Sequence, residues 1–313
     1  MDVTILFNSV MVLGFMVLIG VIIEWRLPST ERVRETLIFI VINIAIPAVV
    51  VQGIFTVDLD SGTLVDLSAA LAVALMFNVI GLLLSLLIFR LIGFDKRDIR
   101  QFSVLTGIGN TGFVGIPLIY GALGASGALY ASFYDVGNII IVFTFVILLL
   151  SQESLNPKSV TKRVLNTPII TLMICVSLAL LKFEPPGAVI DLSEHLSKLS
   201  GPLAMFYVGL LIPEIIKKIK GFHKYKELLL ISAMRLLFFP LLFMGLILML
   251  PVSSEVKLIA VIQTTMPSIL LAPIFFKQYG YDEYFGAVAV IFTTLMALFT
   301  IPVILTIANW IVF

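Results

Sequence analysis

Two stretches of this chain set polar and helix-breaking residues inside runs apolar enough to cross a bilayer. Residues 107–117 read Gly-Ile-Gly-Asn-Thr-Gly-Phe-Val-Gly-Ile-Pro, and residues 263–273 read Gln-Thr-Thr-Met-Pro-Ser-Ile-Leu-Leu-Ala-Pro. Inside lipid every backbone N–H and C=O needs an internal partner, so an unwound segment at that depth persists only where it is buried in protein or lines a wet cavity. Pro267 and Pro273, six residues apart, do not fit one unbroken helix. Each break exposes helix ends. N-termini near Thr111–Gly112 and Pro267–Ser268 offer N–H groups and positive partial charge to an anion, and the carbonyl ends before them suit a cation or a donor. The chemistry this spacing supports is the holding of a small solute at mid-membrane, the arrangement found in carriers with discontinuous helices.

Other polar residues in the apolar runs extend the candidate set. A charge at mid-bilayer costs at least about 2.5–3.5 kcal/mol on insertion scales, so Asp135 and Arg235 need a reason to be there. Asp135 shares a helical face with Ser132 and Asn138, at i−3 and i+3. That stripe faces the bundle interior, either as a solute contact or as a polar network between helices. Arg235 is open between three roles: counter-ion for an acidic solute, partner of Asp135, or an arginine snorkelling to the interface. Asn43, four residues before Pro47, and Asn78 are weaker candidates, and Glu24 reads as an interfacial charge. The candidate solute-binding residues are thus Asn43, Asn110, Thr111, Gly112, Pro117, Asp135, Asn138, Arg235, Gln263, Thr264, Thr265, Pro267 and Ser268.

Several chemistries are set aside. The literal G-x-G-x-x-G of Gly107–Gly112 lacks the strand and βαβ unit that a dinucleotide site requires. Cys175 is the single cysteine, and His195 and His223 lie far apart without spaced carboxylates, so no metal site and no cofactor is expected. No nucleophile–base pair is recognisable, so no enzyme is expected. The basic run Lys217 to Lys226 suits an interfacial anchor or anionic-lipid contact better than nucleic acid.

The elements that position these residues follow from composition. Apolar residues make up 60% of the chain and charged residues 12%, against roughly 45–50% and 25% in soluble domains, and the mean hydropathy is +1.15. This is the signature of an all-α polytopic membrane protein. A window of about 20 residues gives ten spans, at about 4–23, 36–56, 67–90, 99–120, 128–150, 168–182, 196–216, 227–250, 256–276 and 284–311. The first is followed by Glu24 and Trp25 in place of a small-residue cleavage site, so it reads as a span rather than a leader. Sixteen of the 20 Lys and Arg residues fall in the loops after spans one, three, five, seven and nine. The positive-inside rule then puts both termini outside the cytoplasm, in a cell (inner) membrane.

The chain also repeats. At an offset of about 155 residues Pro47 meets Pro202; one residue further, Pro117 meets Pro273 and Gly124 meets Gly280. Residues 1–150 and 168–313 then form two five-span halves joined by a linker at 151–167. An odd span count inverts the second half relative to the first.

The run from Phe102-Ser103-Val104 to Gly109-Asn110-Thr111-Gly112-Phe113-Val114-Gly115-Ile116-Pro117-Leu118 resembles the fourth helix of the auxin efflux carrier family, to which the plant PIN-FORMED proteins belong. Met266-Pro267 through Lys277-Gln278-Tyr279, then Val290-Ile291-Phe292 and Ala297-Leu298, resemble it as well. The likeness covers essentially the whole chain, with about 17 polar residues where plant members carry a long loop between spans five and six, as in a compact bacterial member. The resemblance implies a fold like that of the bile acid/sodium symporters, with helices four and nine broken and crossing. It implies a scaffold and homodimer surface from helices 1, 2, 6 and 7, a transport domain from helices 3–5 and 8–10, and elevator-type motion. Asn110 matches the family's crossover asparagine and Pro267 its second crossover proline, with Pro273 a further candidate; the second crossover has no asparagine. The expected function is secondary transport or facilitation of a small organic anion, a carboxylate of the malate type or an indole acid such as auxin. Two alternatives remain open: a sodium-coupled symporter of the bile acid carrier type, using Asp135, Asn138 and the threonines as cation ligands, and a membrane receptor without flux.

Overall fold

The computed structural model describes residues 3–56, 60–151, 167–218 and 225–311. The expected linker at 151–167 and the basic residues Lys158, Lys162, Arg163, Lys220 and Lys224, with His223, fall outside the described residues apart from the linker's two end positions. The described residues are helical except for short connections, and the chain is a polytopic membrane protein. Among the described residues six helices are long and apolar enough to cross a membrane, together with the shorter apolar helix Thr167–Leu180.

In chain order α1 is Val3–Arg26, α2 Glu31–Thr56, α3 Ser61–Ile92, α4 Lys96–Gly107 and α5 Thr111–Ser151. After the undescribed stretch come α6, Thr167–Leu180, α7, Gly187–Ser197, and α8, Ser200–Lys218. The chain continues through α9, Tyr225–Leu248, α10, Ser254–Thr264, α11, Ala272–Gln278, and α12, Glu283–Ile311. Starts are set by side-chain caps: Thr30, Asp60, Asp95 and Ser253 each accept a hydrogen bond from a first-turn backbone N–H, satisfying donors that have no intrahelical partner.

Prolines shape the helix interiors. Wider, π-type turns at Val41–Ala45, Thr111–Gly115 and Met234–Phe238 each end two residues before a proline, Pro47, Pro117 and Pro240. Proline lacks an N–H and its ring presses on the preceding turn, and widening that turn relieves the conflict. The windows expected at 99–120 and 128–150 are distributed differently along the chain. The first is cut at residues 108–110, and its second half runs on into the other as α5, bent only at Gly124, whose φ of 70° and ψ of −162° are non-helical. Gly280, with φ 72°, makes the corresponding turn between α11 and α12. Both backbones enter a region that a Cβ would disfavour, and these are the two glycines that the internal offset superimposes.

Small residues let the helices approach closely. A Cβ on Gly20 of α1 would meet the Phe206 carbonyl oxygen at 2.5 Å and Gly209 at 2.9 Å on α8, the close-backbone contact that drives helix association in lipid. Gly81 of α3 abuts Gly107 of α4 in the same way. Phe77 of α3 stacks on Phe243 of α9 at 4.5 Å between ring centroids, tying the elements around the first break to those around the second. Outside, large apolar side chains such as Leu91, Met249, Phe299 and Trp310 are exposed, as a lipid-facing surface requires.

Candidate functional site

Both stretches picked out in the sequence are broken, and the breaks meet. Residues 108–110 separate α4 from α5, and 265–271 separate α10 from α11. Gly109 and Ser268 form an antiparallel bridge. Asn110 N–H donates to the Pro267 carbonyl at 2.8 Å, and Ile269 N–H donates to the Ile108 carbonyl at 3.2 Å. Each unwound segment thus supplies backbone partners that its own helix no longer offers, which is what burial at this depth demands. Side chains complete the junction. Ser268 Oγ donates to the Leu105 carbonyl at 2.6 Å, and Thr293 Oγ1 of α12 accepts from Ser268 N–H at 3.2 Å.

The N-terminal end of α5 is the most polar part of the junction. Thr111 Oγ1 donates to Asp135 Oδ1 at 2.5 Å. The carboxylate also lies against Gly112, where a Cβ would come within 2.6 Å of Oδ2. A negative group therefore rests on the first turn of a helix, where the peptide dipoles favour it. Asn138, one turn beyond Asp135, donates through Nδ2 to the Gly109 carbonyl at 3.3 Å. Two amide atoms buried at this end, Asn110 Nδ2 and Asn138 Oδ1, have no hydrogen-bond partner. An orphaned buried polar atom is costly unless a partner is supplied.

These groups line a cavity of about 290 Å³. Its polar end is Asn110, Thr111, Gly112, Asp135 and Asn138; its walls are apolar, from Ile42 and Ile46 of α2, Ile139, Val142 and Phe143 of α5, Pro168 of α6 and Ile269–Leu271 of the second break. Among the described residues no Lys, Arg or His lines it. The one ionisable group among its described lining residues is Asp135, held by the Thr111 hydroxyl.

The remaining candidates are placed elsewhere. Thr264 and Thr265 turn their hydroxyls back to the carbonyls of Val261 and Ile262, at 2.7 and 2.6 Å. Gln263 Nε2 reaches the Ala131 carbonyl at 3.5 Å, and its Oε1 is unpartnered, packed where a Cβ on Gly115 would fall. Pro267 borders a separate hollow of about 20 Å³. Pro117 does not line the 290 Å³ cavity. Asn43 is half-buried, donating to the Phe39 carbonyl at 3.1 Å and accepting from Thr167 Oγ1 at 2.6 Å, so it joins α2 to α6. Asn78 Nδ2 bonds the Ala74 carbonyl of its own helix at 2.8 Å. Arg235, 3% exposed, neither lines the cavity nor forms an ion pair with Asp135; it donates to the Met266 carbonyl at 2.8 Å and the Thr264 carbonyl at 3.3 Å. The apolar wall and Thr293 escape the sequence reading. Thr293-Thr294, a hydroxyl pair in an apolar span, was the available signal for the latter.

A family model described as membrane transport protein matches this chain over residues 5–159 and 151–305. The chain belongs to that family. It is the auxin efflux carrier family that the two broken-helix runs resemble. A relative from Methanothermobacter thermautotrophicus, described as an uncharacterized transporter, is 27% identical over 295 residues, covering 94% of each chain. The paired breaks and their cavity are therefore features of a membrane transporter.

Proposed function

We propose that this transporter is a secondary carrier or facilitator of a small organic anion, and that the anion sits in the cavity beside the first break. The observation that carries this reading is the pairing of an apolar chamber with one polar end. Asn110 Nδ2, buried without an acceptor, and the first-turn N–H groups of residues 111–113, which have no intrahelical acceptor, point to an oxygen-rich head group. The apolar walls suit an organic body better than a second carboxylate, so a monocarboxylate with an apolar body, an aromatic acid among them, fits better than a malate-like dianion. In this reading the ten spans form two inverted five-helix repeats, 1–150 and 168–313, whose broken helices cross at Asn110 and Pro267. The carrier works by elevator-type alternating access. The helices of spans 1, 2, 6 and 7 form a scaffold and homodimer surface, spans 3–5 and 8–10 move, and both termini lie outside the cytoplasm. Ile42, Ile46 and Pro168, contributed by α2 and α6, are then the scaffold wall past which the moving polar end slides.

The test is counterflow of radiolabelled benzoate, indole-3-acetate and malate into proteoliposomes. The expected result is saturable exchange of at least one monocarboxylate, lost in Asn110→Ala. Absence of flux for all three in protein that is folded and inserted would favour a receptor instead. One observation favours the sodium-coupled alternative: Asn138 Oδ1, without a donor, lies one turn from the Asp135 carboxylate, to which the Asn138 side-chain amide N–H donates, an oxygen set that a cation would accept. Sodium dependence of the exchange separates the two readings.

A further inference from the structure

Arg235 is the only buried cation among the described residues, and solute binding does not account for it. Its guanidinium is lodged where two half-helices end. Nε donates to the Met266 carbonyl at 2.8 Å, Nη2 to the Thr264 carbonyl at 3.3 Å and Nη1 to the Thr106 carbonyl at 3.5 Å. Thr106 belongs to the last turn of α4, Thr264 closes α10, and Met266 follows in the break. Gly109 makes room for the group: a Cβ there would run into Nη2.

The charge balance is simple. A helix C-terminus carries about half a negative charge, so two that meet amount to about one, and one guanidinium cancels it. Arg235 forms no ion pair with a carboxylate among the described residues, and Asp135 is engaged by Thr111 at the opposite, N-terminal pole. The positive charge is answered by backbone oxygens alone. Carbonyl oxygens converging from half-helix ends are also how broken-helix carriers hold a coupling alkali cation. The planar five-donor fork of arginine reaches carbonyls on both helices at once.

We propose that Arg235 is a tethered cation occupying the position at which a carrier of this design would otherwise hold a coupling sodium ion. The crossing is neutralised from within the chain, and the resting protein has no use for an alkali cation there. Removing the guanidinium uncovers a latent cation site made of the Thr106, Thr264 and Met266 carbonyl oxygens. The inference rests on the broken helices being the core of a carrier. Its test needs no cargo, so failure of carboxylate flux and failure of this proposal are separate results.

The test is the melting temperature of the full-length protein in sodium, potassium and choline chloride at equal ionic strength, for wild type and for Arg235→Lys, Arg235→Gln and Arg235→Ala. Wild type and the lysine variant, each with a built-in cation, are expected to melt within about 1 °C of themselves across the three salts. The glutamine and alanine variants are expected to melt lower by about 5 °C or more in choline chloride, since unanswered helix ends stay buried. Sodium or potassium should restore part of that loss, and so should millimolar methylguanidinium, which should leave wild type unmoved. An arginine with a merely structural role would lose stability equally in every salt. Equal melting of the neutral variants in all conditions would overturn the proposal. So would a sodium-specific gain in wild type that persists in Asp135→Asn, which removes the carboxylate of the other candidate cation site; that result stands even where the alanine variant does not fold.

Discussion

At the first break Asn110, Thr111 and Gly112 face a cavity and a carboxylate, whereas at the second the hydroxyls of Thr264 and Thr265 turn back onto their own helix. The two stretches meet through one short antiparallel bridge, yet they are finished in opposite ways. The first keeps orphaned amide atoms, Asn110 Nδ2 and Asn138 Oδ1, beside about 290 Å³ of space. The second satisfies its hydroxyls locally and receives Arg235 at its carbonyl end. Crossing two broken helices therefore does not by itself make two equivalent binding surfaces. One break keeps unpartnered amide atoms beside a cavity, and the other turns its hydroxyls inward and is braced by Arg235.

Substitutions at the first break should be far more damaging to transport than those at the second. The largest effect is expected for Asn110→Ala and Asp135→Ala, each lowering counterflow by about 100-fold or more through loss of buried polar contacts. Both proteins should remain folded and monodisperse on size-exclusion chromatography. Gly112→Ala comes next. Its methyl would push the Asp135 carboxylate off the α5 N-terminus, and a loss of about tenfold in apparent affinity is expected from saturation of the exchange. Gln263→Leu, which removes the unpartnered Oε1 behind the second break, is expected to leave transport within about threefold and melting unchanged or higher, since an apolar isostere removes an unsatisfied group. Thr264→Val and Thr265→Val should be the quietest, within about twofold in initial rate, because each hydroxyl serves only a carbonyl on its own helix. A second-break variant as damaging as Asn110→Ala would erase the contrast.

The breaks themselves are legible in the sequence, because glycine, asparagine and proline are conspicuous in apolar runs and lipid tolerates unwinding only where it is enclosed. The polar stripe of Asp135 and Asn138 is legible for the same reason, by the cost of placing such groups in a bilayer. The cavity walls are not. Ile42, Ile139 and Val142 look like lipid-facing residues, since hydrocarbon and an apolar chamber select the same side chains. Nor is the place of Arg235, because backbone carbonyls are its partners and every residue has one. Windows of hydropathy also hide the bend at Gly124, where one non-helical residue separates segments that otherwise read as successive spans.

The central claim is that the paired breaks hold an organic carboxylate at the end marked by Asn110. Anomalous diffraction from crystals grown with 4-bromobenzoate tests it most directly. The account requires a bromine peak in the apolar chamber between Phe143 and Leu270, with the carboxylate turned toward Asn110 and Thr111. A bromine peak outside that chamber, in protein that exchanges benzoate, would contradict it.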